Sequence, residues 1–156
     1  MKGSILVSQA YAQGKMLDNS KWGSVLPRGI TPSDCDMQMY DNNGNILLVE
    51  FSSQNVSWSE LSKGQRWGYE SMVKLGANSD SVCLAILCKH RISTDQQICT
   101  HDAVDWFSVM LPAKSGGVVT TYKPLSGDRW PKFVVSFFED PKATRAFVYS
   151  HIKRGN

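Results

Sequence analysis

The stretch that decides the fold runs from residue 32 to residue 52 and reads Pro32-Ser33-Asp34-Cys35-Asp36-Met37-Gln38-Met39-Tyr40-Asp41-Asn42-Asn43-Gly44-Asn45-Ile46-Leu47-Leu48-Val49-Glu50-Phe51-Ser52. Two β-forming runs flank a turn of the Asn-Gly type, so the sequence predicts an antiparallel hairpin. With the turn centred near Asn43, Asp36 falls opposite Glu50. Side chains paired across two strands on one face lie a few ångströms apart.

Carboxylates thus lie on neighbouring strands of this hairpin. Alternation along the first strand puts Asp34 and Asp36 on one face, and Glu50 ends a strongly apolar strand. A buried carboxylate must be paired, protonated or bound to a metal. Two carboxylates suit Mg²⁺, whose shell is completed by waters and substrate phosphates. The alternatives for Glu50 are pairing with a base such as Arg28 or a position at an exposed strand end.

This pattern resembles the PD-(D/E)xK nuclease superfamily, in which an Asp near the start of one strand is followed by Glu-x-Lys on the next. The segment Lys63-Gly64-Gln65-Arg66-Trp67-Gly68-Tyr69 resembles the helix that follows, which often carries Gln-x-x-x-Tyr. The resemblance spans roughly residues 27–76. It implies a restriction-endonuclease-like core, with Mg²⁺ or Mn²⁺ held by Asp36, Glu50, Asp34 and the backbone carbonyl of Phe51. Gln65 would then approach the metal-bound water or a substrate phosphate.

The chain departs from the family pattern at one position, where Ser52 replaces the motif lysine. A serine hydroxyl cannot offset charge that builds up on a phosphate. Three explanations stay open: a cation supplied from elsewhere, with Lys63 and Arg66 the nearest candidates, a mechanism that uses the metal alone, or a fold kept for binding without cleavage.

The segment from Trp58 to Leu75 has the apolar spacing of a helix. Ser62 followed by Gln65 is a capping-box pattern, and Gly76 is placed to be the residue after the helix. Each candidate site residue of this helix therefore has a structural alternative: the Gln65 side chain would bond back to the helix start, and Tyr69 would be a packed core ring.

The remaining elements predict an α/β (α+β) protein with a mixed central sheet flanked by helices. Weak periodicity favours a first helix at residues 5–16. Residues 81–90 suit a central strand, and further strands are expected at 104–110 and 118–122. Helices are expected from Trp130 to Phe138 and from Pro141 onward, with Asp140 as the cap. The length suits a single domain, 1–156.

Composition sets the class of protein. No apolar run approaches the roughly 20 residues of a membrane helix, and the start is too short for a signal peptide, so a cytoplasmic protein without membrane contact is expected. The net charge of +3, from 17 basic and 14 acidic residues, permits a nucleic-acid partner. Basic side chains are concentrated in the last third, where they are either a binding surface or a solvated helix surface: Lys123, Arg129, Lys132, Lys142, Arg145, Lys153 and Arg154.

The four cysteines match no secreted disulfide framework, and buried free thiols are the expected state. Two Cys-x-His pairs flank a turn, so that Cys88, His90, Cys99 and His101 form a second, less favoured candidate site, for Zn²⁺. Spacings typical of zinc sites are absent from the sequence. The alternative is core cysteines with surface histidines.

Two functions of different class follow. The first is a metal-dependent nuclease acting on DNA rather than RNA. Compact single-domain members of that superfamily occur in bacteria, bacteriophages and mobile elements, so the resemblance is compatible with a phage or prophage origin. A phage-encoded protein would act in the cytoplasm of a bacterial host cell. The second is a catalytically silent relative that binds nucleic acid or a host or phage protein. In that case the basic last third would matter more, as would four aromatic residues that otherwise belong to the core: Trp106, Trp130, Phe133 and Phe137.

Overall fold

A computed structural model describes residues 35–91, 103–121 and 123–153 of the chain. All of them belong to one compact unit, Ser33–Asn156. The helix predicted at residues 5–16, together with Arg28 and Asp34, lies outside the described residues, and a single domain spanning 1–156 stays a prediction.

The described part is a mixed α+β fold, as predicted. Its strands are β1 (Met37–Tyr40), β2 (Ile46–Ser52), β3 (Cys83–His90), β4 (Val104–Pro112), β5 (Val118–Thr120) and β6 (Leu125–Ser126), and its helices are α1 (Lys63–Gly76), α2 (Trp130–Glu139) and α3 (Pro141–Lys153). Short 3-10 turns at Trp58–Glu60 and Gly127–Arg129 precede α1 and α2. None of the helices described is long and apolar enough to cross a membrane.

The sheet has the order β1-β2-β3-β4-β5, with β6 also paired to β4. β2 and β3 are parallel, which requires the crossover that α1 provides, and the other pairs are antiparallel. β3 is the central strand and is buried over nearly its whole length. That confirms the prediction made from its uninterrupted apolar run.

The predicted hairpin is confirmed. β1 pairs with β2 in the register Met37↔Val49 to Tyr40↔Ile46. In the turn, the Asp41 carboxylate accepts the amides of Asn43 at 2.8 Å and Asn45 at 3.0 Å. Gly44 has a φ of 79°, in the region that favours glycine.

Helix α1 differs from its prediction at both ends. The predicted start at Trp58 is a separate 3-10 turn, and α1 begins after Ser62, whose side chain accepts the Gln65 amide. Gly76 is the last helical residue rather than the residue beyond it, and Ala77 ends the helix in ordinary helical geometry. A glycine is required there by packing, because a Cβ on Gly76 would lie 2.6 Å from the Cβ of Cys83.

The two faces of the sheet bury separate cores. The helix-pair face, covered by α2 and α3, packs aromatic and branched side chains such as Phe107, Trp130 and Phe137. The α1 face packs Leu48, Trp58, Tyr69 and Val73. Trp130, Phe133 and Phe137 are thus core residues, whereas Trp106 is only half-buried, near the end of β3.

Candidate functional site

Glu50 is the centre of the candidate site. It lies on the α1 face of β2 and is only 8% exposed. Gln65 Nε2 donates to Glu50 Oε1 at 2.9 Å, and the Tyr69 hydroxyl donates to Oε2 at 2.5 Å. The structure therefore excludes an exposed strand end for Glu50. A buried carboxylate needs such donors, because its desolvation is costly.

The helix start explains how these donors are aimed. The Ser62 hydroxyl oxygen accepts the backbone N–H of Gln65 at 3.3 Å, and the same hydroxyl donates to Gln65 Oε1 at 2.9 Å. These bonds leave the side-chain nitrogen Nε2 of Gln65 directed at Glu50. Tyr69 follows one helical turn later on the same face. The Gln65 side chain therefore does bond back to the helix start, as the structural alternative predicted, and the other end of the same side-chain amide binds the Glu50 carboxylate. Its predicted approach to a metal-bound water or a substrate phosphate stays a prediction.

Tyr69 is held in place by its neighbours. The Trp58 ring meets the Tyr69 ring edge to face, with 5.8 Å between centroids, and the Trp58 Nε1 donates to Ser108 at 3.1 Å. Burial, followed by the hydrogen bond to Glu50, raises the pKa of Tyr69 far above its usual value. Tyr69 therefore remains a protonated donor to Glu50 across the physiological pH range.

Asp36 directly precedes β1, the strand that pairs with the strand of Glu50. Continuing the β1–β2 register by one residue places Asp36 opposite Glu50, as the turn predicted. The Asp36 Oδ2 accepts the backbone amide of Phe51 at 2.8 Å. That hydrogen bond extends the strand pairing beyond Met37 and holds the carboxylate at the edge of the candidate site.

Cys35 is a neighbour that the sequence reasoning did not assign to the site. Cys35 is an exposed residue, contrary to the expectation of buried thiols, whereas Cys83 and Cys88 are buried as expected. The Cys35 thiol donates to the carbonyl of Met37 at 3.0 Å. Loss of hydration raises the pKa of this thiol above its usual value, and Glu50 adds to the rise. Its position directly before Asp36 was the signal available in the sequence.

The contacts of the other candidate residues, Ser52, Lys63 and Arg66, are with groups other than Glu50. Ser52 accepts the Gln54 amide at 3.1 Å and so closes the turn after β2. Lys63 lies over the Trp67 ring, 4.6 Å from its centroid, and Arg66 pairs with Glu70 at 2.8 Å. Each of these two cations therefore has a partner on α1, and a catalytic role for either stays a prediction. The role of the Phe51 carbonyl as a metal ligand stays a prediction.

A cation that sequence reasoning missed lies at the end of β3. Lys89 is the register partner of Ser52 on the parallel strand, so both side chains share the α1 face. Lys89 Nζ lies 3.5 Å from Asp105 Oδ2 and donates to the carbonyl of His90 at 3.0 Å. A strand pairing that the sequence does not state is needed to find this residue.

A cleft of about 870 Å³ opens beside the site on the α1 face. Its lining combines aromatic, hydroxyl and charged groups, and Leu87, the register partner of Glu50, is among them. The lining includes Trp58, Arg66, Glu70, Trp106, Ser108 and Thr121. The cleft adjoins the site through Leu87 and through Trp58, which packs on Tyr69. Asp36, Glu50 and Gln65 do not line it.

The carboxylates of Asp36 and Glu50 could supply only part of the coordination shell of a hard divalent cation. Two carboxylates on paired strands are what Mg²⁺ or Mn²⁺ takes from a protein when waters and phosphates complete the coordination. Within residues 35–91, 103–121 and 123–153, no three His, Cys, Asp or Glu side chains converge as a metal-binding group. The fit therefore depends on Asp36 and Glu50 as a pair.

The zinc candidate is only partly within the described residues. Cys88 is fully buried in the core of the helix-pair face, and burial raises the pKa of its thiol. Cys99 and His101 lie outside the described residues, so the Cys₂His₂ arrangement with His90 stays a prediction.

The comparisons with known proteins give no relative: no protein-family model, no curated protein and no solved structure matches this chain. A functional assignment therefore rests on the residues of the site.

Proposed function

We propose that the chain is a metal-dependent nuclease of the PD-(D/E)xK type that hydrolyses DNA phosphodiesters. The observation that carries this proposal is the environment of Glu50. It is a buried carboxylate on the second strand of a hairpin, next to Asp36, and it accepts hydrogen bonds from Gln65 and Tyr69 of the following helix. The order of Asp, Glu, Gln and Tyr along the chain is the order that suggested the resemblance.

Asp36 and Glu50 would hold Mg²⁺ or Mn²⁺ in this function. The bound ion would lower the pKa of a water molecule and offset negative charge on the phosphate. Asp34 and the Phe51 carbonyl are the further ligands that the resemblance implies.

The protein's own groups prepare the carboxylates for this role. Gln65 and Tyr69 each bind one oxygen of Glu50, so its orientation is fixed before any ligand arrives. Donors behind a metal ligand typically change metal affinity 10- to 100-fold when they are removed. The Phe51 amide does the same for Asp36.

DNA is the substrate class that the cleft and charge favour. The half-buried Trp106 ring lines the cleft that adjoins the site, where it would stack on a base. Arg129, Lys132 and Lys142 are exposed on or next to α2 and α3 and would contact backbone phosphates. The last third of the chain would then supply affinity, and the β1–β2 hairpin the chemistry.

A second candidate function is a nuclease-like protein that binds nucleic acid or a protein partner without cleaving. It is favoured by one observation: the Ser52 hydroxyl is used in the turn after β2 and brings no charge to the site.

Calorimetric titration of Mn²⁺, followed by cleavage of supercoiled DNA with the same samples, tests the proposal. The wild type should bind Mn²⁺ and nick DNA only when the metal is added. Glu50→Gln should lose both, because the substitution removes an anionic ligand. Glu139→Gln, which removes the same charge at the exposed end of α2, is the matched control and should behave as wild type.

Asp36→Asn guards against a folding defect in Glu50→Gln, since its amide oxygen can still accept the Phe51 amide. Metal binding that survives both substitutions, or no Mn²⁺ binding by the wild type, contradicts the proposed metal site. Mn²⁺ binding with DNA binding and no nicking selects the second candidate function.

A further inference from the structure

Hydrolysis of a phosphodiester requires positive charge beside the phosphate in the candidate site. A DNA phosphodiester adds a negative charge of its own to a site that already holds the carboxylates of Asp36 and Glu50. More charge builds up on the phosphate as water attacks it, and preorganised donors aimed at that charge are usually the largest catalytic term. Ser52, at the end of β2, carries no charge to meet this need.

The register of β2 and β3 places a cation beside this gap. Glu50 pairs with Leu87 and Ser52 pairs with Lys89, so Lys89 lies one strand across and two residues along from Glu50, on the same face. Those steps are about 4.8 Å and 6.6 Å. A phosphate bound next to Glu50 lies within reach of a flexible four-carbon side chain from that position.

The surroundings of Lys89 also suggest a role beyond an ordinary surface ion pair. Its side chain is only 15% exposed, and a lysine so covered requires compensation. Asp105, its partner at 3.5 Å, is bound more closely by Arg91, whose Nε lies 3.0 Å from Oδ1. Asp105 would therefore keep a cation if Lys89 turned to a substrate.

A β-bulge explains this shared arrangement. Lys89 pairs with Trp106 and His90 with Val104, so Asp105 is the extra residue on β4. Bulges redirect side chains and are common beside active sites. Here the bulge brings Asp105 to the Lys89 side chain, and Asp105 and the His90 carbonyl hold the ammonium group at the end of β3.

We propose that Lys89 is the catalytic cation of this site, donating from its ammonium group to a non-bridging oxygen of the scissile phosphate. The inference rests on the proposed nuclease function. In the step it assists, a water oxygen bonds to phosphorus and gives up a proton to solvent, the bond from phosphorus to the leaving sugar oxygen breaks, and that oxygen takes up a proton from solvent. The products are a phosphate monoester and an alcohol. Lys89 stays protonated and stabilises the negative charge that develops on the phosphate oxygens during the reaction.

Nicking of supercoiled DNA by Lys89→Met, at saturating Mn²⁺, tests the role. Loss of a donor to the developing charge should lower kcat about 10²- to 10³-fold. The Mn²⁺ dissociation constant should stay within about threefold, because Asp36 and Glu50 hold the metal. Lys89→Arg, which keeps the charge, should recover part of kcat. Lys74→Met removes another ion-paired lysine, on α1, and should leave kcat unchanged.

Asp105→Asn separates catalysis from a structural ion pair. If Lys89 acts on substrate, weakening its partner leaves kcat near or above wild type. An equal loss of kcat in Asp105→Asn and Lys89→Met would overturn the inference, and so would nicking by Lys89→Met within threefold of wild type. If the wild type binds Mn²⁺ through Glu50 but does not nick DNA, the catalytic role of Lys89 is wrong and the proposed metal site is still supported. If the wild type binds no Mn²⁺, the proposed function fails and Lys89 with it.

Discussion

The helix-pair face and the α1 face of the sheet solve the same packing problem with different side chains. Under α2 and α3 the core rests on large apolar groups, with the Phe107, Trp130 and Phe133 rings in mutual contact. Under α1, polar side chains are buried with their partners: Glu50 with Gln65 and Tyr69, and Ser108 with Trp58 and Thr121. Buried polar networks are costly unless satisfied, so the α1 face is where a function is to be sought.

The largest expected effect comes from truncating a core side chain in the helix-pair face, which should change stability without changing the candidate site. Phe137 is fully buried and packs edge to face on Phe138, with 5.0 Å between ring centroids. Phe137→Ala should lower the free energy of unfolding by about 3–5 kcal/mol, through lost burial and the cavity left behind. Urea unfolding measures the loss.

The folded fraction of Phe137→Ala should nevertheless bind Mn²⁺ as the wild type does. Val135→Ala, at an exposed position of the same helix, is the control and should change the unfolding free energy by less than about 0.5 kcal/mol. A loss of metal affinity in folded Phe137→Ala would show that the two faces are not separable.

An intermediate effect is expected on the α1 face, where Tyr69→Phe keeps the ring and removes the hydroxyl that donates to Glu50. A hydrogen bond to a charged group contributes about 1.5–3 kcal/mol, so stability should fall by an amount in that range. Mn²⁺ affinity should also fall, about 10-fold or more, because Glu50 loses part of its orientation.

Tyr149→Phe is the matched control for Tyr69→Phe. Its hydroxyl donates to the Pro112 carbonyl, far from Glu50 in the sequence and in a different packing layer. It should lower stability without changing Mn²⁺ affinity. If both tyrosine variants bind Mn²⁺ equally, the Tyr69 hydroxyl serves packing alone.

The sequence predicted the hairpin and the central strand because their signals are local: a turn, a strand-length apolar run and the capping pattern at Ser62. The pairing of Asp36 with Glu50 followed from the turn position alone. Lys89 could not be placed, because its position beside Ser52 depends on a parallel pairing that a whole helix separates in the sequence. Gly76 was misplaced for a related reason, since its close approach to Cys83 is a tertiary contact.

The smallest expected effect tests whether the whole α1 face is polar or only the end that carries Glu50. Cys83 begins β3 at the opposite end of the strand and packs against Gly76, and burial raises the pKa of its thiol from an ordinary 9.0 to about 11. The unfolded chain therefore loses this proton first as pH rises. Stability from Cys83 is complete below pH 9 and falls between pH 9 and 11, by about 1 kcal/mol at pH 10.

Urea unfolding at pH 8 and pH 10 measures this loss, and Cys83→Ala should reduce the difference between the two pH values by about 1 kcal/mol. Burial also raises the pKa of Cys88, on the helix-pair face, so Cys88→Ala should reduce the difference in the same direction. Equal effects of the two thiols on the pH dependence would show that water is excluded around Cys83 on the α1 face as well as from the helix-pair face. The α1 face would then become polar only toward Glu50. A Cys83→Ala variant with an unchanged pH dependence would instead mean that water reaches the start of β3, and the contrast between the faces would extend along the whole strand.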